Sequence, residues 1–224
     1  MLRVLSANLC FGRADPAALV ALVRALDVGV VAVQELGPRQ AEALAAELPH
    51  GKLEPTPDGK GLGIALRRRG EVERLALPHR DARVARLAPE DWPALGRRVE
   101  VVNTHLANPI FGVPASWSHR RGQVAGLAAY LASAEPCPRA LVGDFNATPR
   151  WPAYRRLAAE LDDAADVVAA RLGRAPQPTW GPTPRSPRLL RIDHVLVDAF
   201  EVLDFQVVPI PGTDHSGVLA DLAV

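Results

Sequence analysis

Arg139-Ala140-Leu141-Val142-Gly143-Asp144-Phe145-Asn146-Ala147 is an apolar run that ends in a carboxylate and an amide. A short run of this kind reads as a buried strand. Asp144 and Asn146 are two residues apart, so on an extended backbone their side chains point the same way. The same layout recurs along the chain. Leu2–Ala7 leads into Asn8, Val28–Gln34 into Glu35 and Val99–Thr104 into His105. Ile192–Val197 carries Asp193, and Asp214 and His215 precede Gly217–Ala223. Polar groups at several strand ends converge on one sheet edge, where a site can form. The set is oxygen-rich, with histidines and no thiolate cluster, which suits Mg²⁺ or Mn²⁺ rather than Zn²⁺. Histidine with a carboxylate partner suits phosphate-ester chemistry, so a metal-dependent phosphohydrolase is the first expectation.

Outward from these strands, the helices and the remaining strands fall into place. Asp15 followed by Pro16 reads as an N-cap with proline at the first helical position, and Ala17–Leu26 carries helix spacing. Pro38–Leu48, Ser116–Ala132 and Pro152–Leu161 also read as helices. Leu62–Arg67, Val72–Leu77 and Val84–Leu87 are short strands, Arg97–His105 a longer one, and Val202–Val208 a late one. Arg171–Leu190 is a Pro-rich loop around Trp180. Many strands have no helix between them, which argues against a pure βαβ wind and for a mixed-sheet α/β protein. The two halves look alike, and one layered domain over residues 1–224 with two packed sheets and outer helices fits.

With 48% apolar residues the 224-residue chain can bury a sizeable core, and with 5% aromatics that core must be Leu, Val and Ala. A net charge of +1 gives no global field for polyanions, so any nucleic-acid affinity must come from a local basic patch. Cys10 and Cys137 make no disulfide framework, and a reduced cytoplasm is the default location. Met1 runs straight into a strand, so neither a signal peptide nor a membrane span is expected. A monomer is expected.

Six pieces span nearly the whole chain in order. They are Ser6-Ala7-Asn8, Val33-Gln34-Glu35, Asn103-Thr104-His105-Leu106, Gly143-Asp144-Phe145-Asn146-Ala147, Arg191-Ile192-Asp193-His194-Val195 and Thr213-Asp214-His215-Ser216. Each alone is weak. Together they resemble the endonuclease/exonuclease/phosphatase superfamily, which includes pancreatic-type deoxyribonucleases, abasic-site endonucleases, inositol-polyphosphate phosphatases and neutral sphingomyelinases. The resemblance implies a four-layer α/β/β/α sandwich with two packed mixed β-sheets. It implies Glu35 as the principal Mg²⁺ ligand and Asp214 as a second group at the metal, directly or through water. Asn8 lies beside the metal and either coordinates it or donates to the phosphate. Asp144 orients and deprotonates the attacking water, and Asn146 holds a phosphate oxygen. Asp193 orients His215, which is either the base or a stabiliser of the pentacovalent state. His105 contacts the phosphate or the leaving oxygen. On this reading the catalytic groups are surface groups at strand ends. His194, next to Asp193 on a strand, points to the opposite face and is not counted as catalytic.

The substrate is less constrained. Arg171–Arg191 holds five arginines and no acid, and five prolines stiffen it. It reads as a substrate loop, with Arg185 and Arg188 on phosphates and Trp180 stacked on a ring. Arg120 and Arg121, at the start of a helix capped by Ser116 or Ser118, are placed to hold an anion. The apolar loop Asn108–Ser116, with Phe111 and Trp117, is a candidate groove wall or lipid contact. The leading expectation is a Mg²⁺- or Mn²⁺-dependent phosphodiesterase that cleaves DNA as an endonuclease. The alternative is hydrolysis of a smaller phosphoester such as a phospholipid headgroup, an inositol or sugar phosphate, or a nucleotide. A catalytically silent phosphate-binding module conflicts with retention of the whole catalytic set.

Overall fold

Most of these strands are apolar on both faces, and the computed structural model, which describes residues 1–109 and 113–224, explains why. Each such strand is covered once by a second sheet and once by helices. The chain runs β1 (Leu2–Asn8), α1 (Pro16–Ala25), β2 (Val30–Leu36), α2 (Pro38–Glu47), β3 (His50–Glu54), β4 (Gly61–Leu66), β5 (Glu71–Leu75) and β6 (Ala82–Leu87). A 3-10 turn at Pro93–Leu95 precedes β7 (Val99–His105), α3 (Pro114–Ser133), β8 (Arg139–Asp144), α4 (Pro152–Leu157), β9 (Asp162–Asp163) and α5 (Ala164–Arg171). The chain ends with β10 (Asp193–Asp198), β11 (Glu201–Pro209) and β12 (Ser216–Ala223).

One sheet has the order β11-β12-β1-β2-β4-β3 and the other β5-β6-β7-β8-β10-β9. In each, one central pair is parallel, β1 with β2 and β7 with β8, and the rest is antiparallel. A parallel pair needs a crossover, supplied by α1 and α3; antiparallel neighbours do not. Along β2, Val30 and Ala32 share the inter-sheet core with Val101 and Val142, while Val31 and Val33 pack with Leu19, Val23 and Leu44 of the helices. On the far side, Val102 and Leu141 pack with Leu127 of α3 and Leu157 of α4. The result is the four-layer α/β/β/α sandwich with a Val, Leu and Ala core. Asp15 caps α1 through the Ala17 and Ala18 amides, and Pro16 sits in the first turn.

Several boundaries differ from expectation. β3 lies at a sheet edge and is half exposed, so it lacks an apolar signal. α4 stops at Leu157, and the chain then turns into β9 and α5, where the Asp163 carboxylate accepts from the Ala165 amide at 2.8 Å. α3 begins at Pro114 with Val113 at the cap position, so Ser116 and Ser118 lie inside the helix and do not cap it. The Ser116 hydroxyl instead donates to the Asn108 carbonyl. Phe111 lies outside the described residues. Among the described residues no helix is long and apolar enough to cross a membrane.

A polar bridge crosses the apolar space between the sheets. Gln34 on β2 and Asn103 on β7 are fully buried. The Gln34 amide donates to the Asn103 side-chain oxygen at 2.7 Å and to the Ser6 hydroxyl at 3.2 Å. The Asn103 amide donates to the Val33 and Gly63 carbonyls at 3.0 and 2.8 Å. Asn103 therefore holds β7 against both β2 and β4. Asn103→Leu removes both donations and leaves the Gln34 amide without its best acceptor. It is expected to destabilise the fold by roughly 3 kcal/mol, read as a lower urea midpoint at unchanged slope. An unshifted midpoint would show the bridge to be dispensable.

Candidate active site

β1, β2, β7 and β8 all end at one edge of the sandwich, where ligands of α/β sheets bind. Asn8 and Glu35 lie there on the first sheet, His105 and Asp144 on the second. In the ladder His105 lies opposite Asp144, and Asp144 opposite Asp193 at the start of β10. Gly143 makes the first of these pairings possible: at φ 139°, an added Cβ would come 1.9 Å from the Thr104 carbonyl oxygen. His215 enters from the first sheet, just ahead of β12, and its Nδ1 lies 3.0 and 3.1 Å from the two Asp193 oxygens. The Asn8 amide crosses in the same direction and donates to Asp144 Oδ2 at 3.0 Å.

Asp144 and Asn146 do meet, but not by strand alternation. The strand ends at Asp144, and Asn146 adopts a left-handed backbone with φ 47°. Its backbone N–H donates to Asp144 Oδ1 at 2.7 Å, and its amide to Asp144 Oδ2 at 3.2 Å and the Leu106 carbonyl at 3.0 Å. Glu35, Cys10 and Phe11 are also left-handed, at φ 54°, 50° and 52°. Such positions cost of order 1–3 kcal/mol each and persist where the surroundings over-determine them. Here the turn brings the Phe11 N–H onto Glu35 Oε2 at 2.7 Å and the Cys10 N–H onto Asn8 Oδ1 at 2.9 Å.

The catalytic candidates are not surface groups. Asp144, Asp193 and His215 are 1%, 2% and 6% exposed. They line or underlie a cavity of about 670 Å³ that Glu35, His105, Asn146 and Asp214 also face. Burial pushes the Asp144 carboxyl up; His215 pulls it back, Asp193 adds to the rise, and the Asn146 N–H and Asn8 amide oppose it. Burial pulls His215 down, but the Asp193 carboxylate, with Asp144 and Asp214 behind it, outweighs burial and raises it to about 9. Glu35 is raised by burial, partly offset by the Phe11 N–H, His215 and Asn8. His105 is held well below its ordinary value by burial and then by Arg80 and the other histidines.

Four carboxylates thus converge against two cations, His215 and Arg80, and burial raises two of the carboxyls. An oxygen-rich site short of positive charge fits a hard divalent cation. Asp144, Asp193 and His215 also place ligand atoms within 4.8 Å of one another. We read that trio as proton-handling, because Asp193 already occupies His215 Nδ1. Glu35 and Asp214 are the carboxylates left for a cation. Asn8 differs from expectation: its amide nitrogen is committed to Asp144 and its oxygen accepts from Cys10, so it is a bridge between the sheets before it is a ligand.

Sequence reasoning missed Arg80 and Lys60, which line the cavity. Arg80 NH1 lies 2.5 Å from His105 Nδ1. Arginine only donates, so this nitrogen accepts and the His105 proton resides on Nε2, which faces Asp144 Oδ2 at 3.4 Å. The Gln123 amide donates to the backbone carbonyls of both Arg80 and His105. Arg80 follows an edge strand in an irregular segment, so no periodicity marks it. Lys60 pairs with Asp58 at 2.7 Å. Thr179, also unforeseen, accepts from the Ile192 and Asp193 N–H groups at 3.1 and 3.2 Å and so fixes the start of β10.

The expected substrate residues divide. Trp180 reaches the site and its indole N–H donates to Asp214 Oδ2 at 3.2 Å. Arg188 is engaged within the fold. Its guanidinium donates to the Thr213 and His215 carbonyls, each at 3.0 Å, and to the Ser216 hydroxyl, so it fastens the loop to the strand behind His215. Arg171 and Arg191 are likewise engaged, with backbone carbonyls of β11 and with Asp163 and Asp166. Arg185 is exposed and lies outside the cavity lining. Arg120 is not at the helix start: the helix begins six residues before it, and the side chain is 3% exposed, donating to the Ala107 carbonyl at 2.8 Å. Arg121 is exposed. His194 faces away from the site, between Phe145 and Tyr154, with Nε2 2.8 Å from the Ala147 carbonyl.

Known structures share this architecture. An AP endonuclease from Archaeoglobus fulgidus matches at 15% identity with a TM-score of 0.78, covering 100% of each chain. The human Nocturnin catalytic domain matches at 18% identity and TM-score 0.76, covering 99% of this chain and 94% of that one. A mannosyl-6-phosphatase from Bacteroides thetaiotaomicron matches at 16% identity and TM-score 0.73, covering 100% of each. No curated protein sequence matches the chain. The pattern of the Endonuclease/Exonuclease/phosphatase family matches residues 5–215, nearly the full length. The chain belongs to that family and is a phosphoester hydrolase of its superfamily.

Proposed function

We propose that this protein is a Mg²⁺- or Mn²⁺-dependent phosphodiesterase that cleaves DNA by in-line attack of water on phosphorus. The observation that carries the reading is the pair of groups pushed into opposite roles at one buried site. Asp144 is a carboxylate raised toward basicity, and His215 is an imidazole that Asp193 keeps protonated. Pairs whose surroundings hold them in opposite proton states mark complementary roles in catalysis. Asp144 takes the proton from the attacking water. His215 Nε2 lies 3.9 Å from Asp144 Oδ2, on the same side as the base, so its charged N–H stabilises the charge developing on the phosphoryl oxygens while Asp193 holds the imidazolium, and the leaving oxygen takes its proton from solvent. Asn146 and Arg80 hold the non-bridging oxygens, and His105, with its proton on Nε2, donates toward the same phosphate. Glu35 and Asp214, with Asn8 beside them, would hold the cation. When bound, Mg²⁺ or Mn²⁺ polarises the phosphoryl group and offsets charge developing on its oxygens. The Trp180, Trp151 and Phe11 side chains around the cavity suit bases on either side of a diester. Both cysteines are free, in keeping with a reducing compartment such as the cytoplasm.

A smaller phosphoester is the second reading. It is favoured by the engagement of Arg171, Arg188 and Arg191 within the fold, which withdraws three of that segment's five arginines from a polyanion. Metal-stripped protein, given Mg²⁺ or Mn²⁺ with supercoiled plasmid, a single-stranded oligonucleotide, bis-p-nitrophenyl phosphate or p-nitrophenyl phosphate, separates the two. Plasmid relaxation that His215→Ala abolishes supports the nuclease. Small-ester turnover that leaves both the plasmid and a single-stranded oligonucleotide intact selects the second reading.

His215→Ala is expected to lower kcat on bis-p-nitrophenyl phosphate by about 10³-fold while circular dichroism stays native; a near-normal rate would refute the assignment. Glu35→Ala is expected to raise the metal concentration needed for half-maximal rate. The rate should rise with pH as Asp144 ionises, above the ordinary carboxylate range, and fall as His215 loses its proton near pH 9. In Asp193→Asn the alkaline limb should move to lower pH, because the carboxylate that raises His215 most is gone while burial still pulls it down. An unmoved limb would remove the charged form of His215 from the reaction. Arg80→Ala should raise KM and release the His105 tautomer, seen as altered ¹⁵N shifts of its ring; Arg80→Lys should restore part of the affinity.

A further inference from the structure

A second cavity, about 470 Å³, lies between α3 and α4 and has no part in the roles above. Val124, Ala125, Pro152 and Ala153 give it an apolar floor, and the flat rings of Trp117 and Trp151 flank it. Arg120, Arg121 and Arg156 line it, and among the described residues no acid does. Arg121 and Arg156 are exposed. Arg120 is 3% exposed, its guanidinium carbon 5.9 Å from the centre of the Trp151 ring. Among the described residues no carboxylate pairs with it, and one of its terminal nitrogens is buried without a partner. A buried cation left uncompensated is costly unless an anion comes to it. Trp151 also lines the catalytic cavity, so the two cavities meet at one indole.

We propose that this cavity is a nucleotide subsite, which takes an unpaired base and the adjoining phosphate of a single nucleic-acid strand whose scissile phosphate occupies the catalytic cavity. The proposal rests on the phosphodiesterase reading and names the form of its substrate. A base stacks on an indole through its π-face whatever its identity, and a phosphate pairs with arginine. Three arginines without an acid match the charge of one strand. A base must leave a duplex to reach the cavity, so the subsite selects unpaired strand. The net charge of +1 gives no broad field to hold a duplex from outside.

The test is the Arg121→Gln/Arg156→Gln double variant, both positions exposed, with unchanged thermal melting as the folding control. Fluorescence anisotropy of fluorescein-labelled dT8 in EDTA reads binding without cleavage. The variant is expected to bind dT8 about tenfold more weakly, with a shallower dependence on salt, since two phosphate contacts are removed. Its ratio of kcat/KM for dT8 to that for bis-p-nitrophenyl phosphate should fall by a similar factor. Equal affinity in variant and wild type overturns the proposal, as does tighter wild-type binding to duplex than to dT8. Variant-sensitive binding of dodecyl phosphate with unaltered binding of dT8 also overturns it, in favour of an anionic amphiphile. Variant-sensitive binding of dT8 without cleavage by the wild type would keep the subsite and reject the nuclease. Cleavage that both proteins carry out equally would keep the nuclease and reject the subsite.

Discussion

The site exists only while two sheets stay in register, because neither sheet carries a complete set of groups. The first supplies Asn8, Glu35 and His215, the second His105, Asp144, Asn146 and Asp193. Apolar packing of Val, Ala and Leu between the layers is strong but non-directional, and it tolerates small slides. The Gln34–Asn103 bridge does not, because Asn103 must satisfy carbonyls on β2 and β4 at once. At the edge two further hydrogen bonds cross the same gap, Asn8 to Asp144 and His215 to Asp193. Core and site are thus held by one series of polar contacts.

That arrangement also sets the electrostatics. Closing the sheets on Asp144 and Asp193 removes them from water and would be prohibitive without compensating donors. Asn8, Asn146 and His215 supply them on the spot. The left-handed turns at Cys10, Phe11, Glu35 and Asn146 have the same origin: each points a backbone N–H or a side chain inward at a strand end. Strain in the backbone and the raised pKa values of Glu35 and Asp144 are two results of aiming acidic groups into a buried pocket.

Much of this was legible in the residues. A buried strand terminating in Asn, Glu, His or Asp is visible because an apolar run and a strand-end polar group are both local signals. The double burial of β2 and β8 follows from their unbroken apolar runs. What escaped was set by contacts distant in sequence. Arg80 looks like any arginine in a loop until the fold places His105 beside it, and Thr179 until β10 begins at its hydroxyl. The arginines of the 171–191 segment misled for the same reason. A run of cations reads as a surface for phosphate, whereas Arg188 and Arg191 have carbonyls and carboxylates of their own chain to hold. Arg120 misled in the opposite sense, because its distance from the helix start depends on Pro114 rather than Ser116 opening α3.

The division between chemistry and recognition follows from where these residues lie. Groups proposed to move protons or hold a cation sit at the ends of central strands or within two residues of them, where strand register and short turns fix them. Groups placed to touch the rest of a substrate, Phe11, Arg80, Trp151 and Trp180, lie on turns and connecting segments, whose conformation the sheets do not dictate. A scaffold of this kind can keep its reaction while its substrate changes, since altering a connecting segment leaves the strand registers intact. The known structures that share the fold at 15–18% identity range from an AP endonuclease to a mannosyl-6-phosphatase, as that separation allows. Specificity in this chain must therefore be sought in its connecting segments and in the α3–α4 cleft, where its arginines are least explained by folding alone.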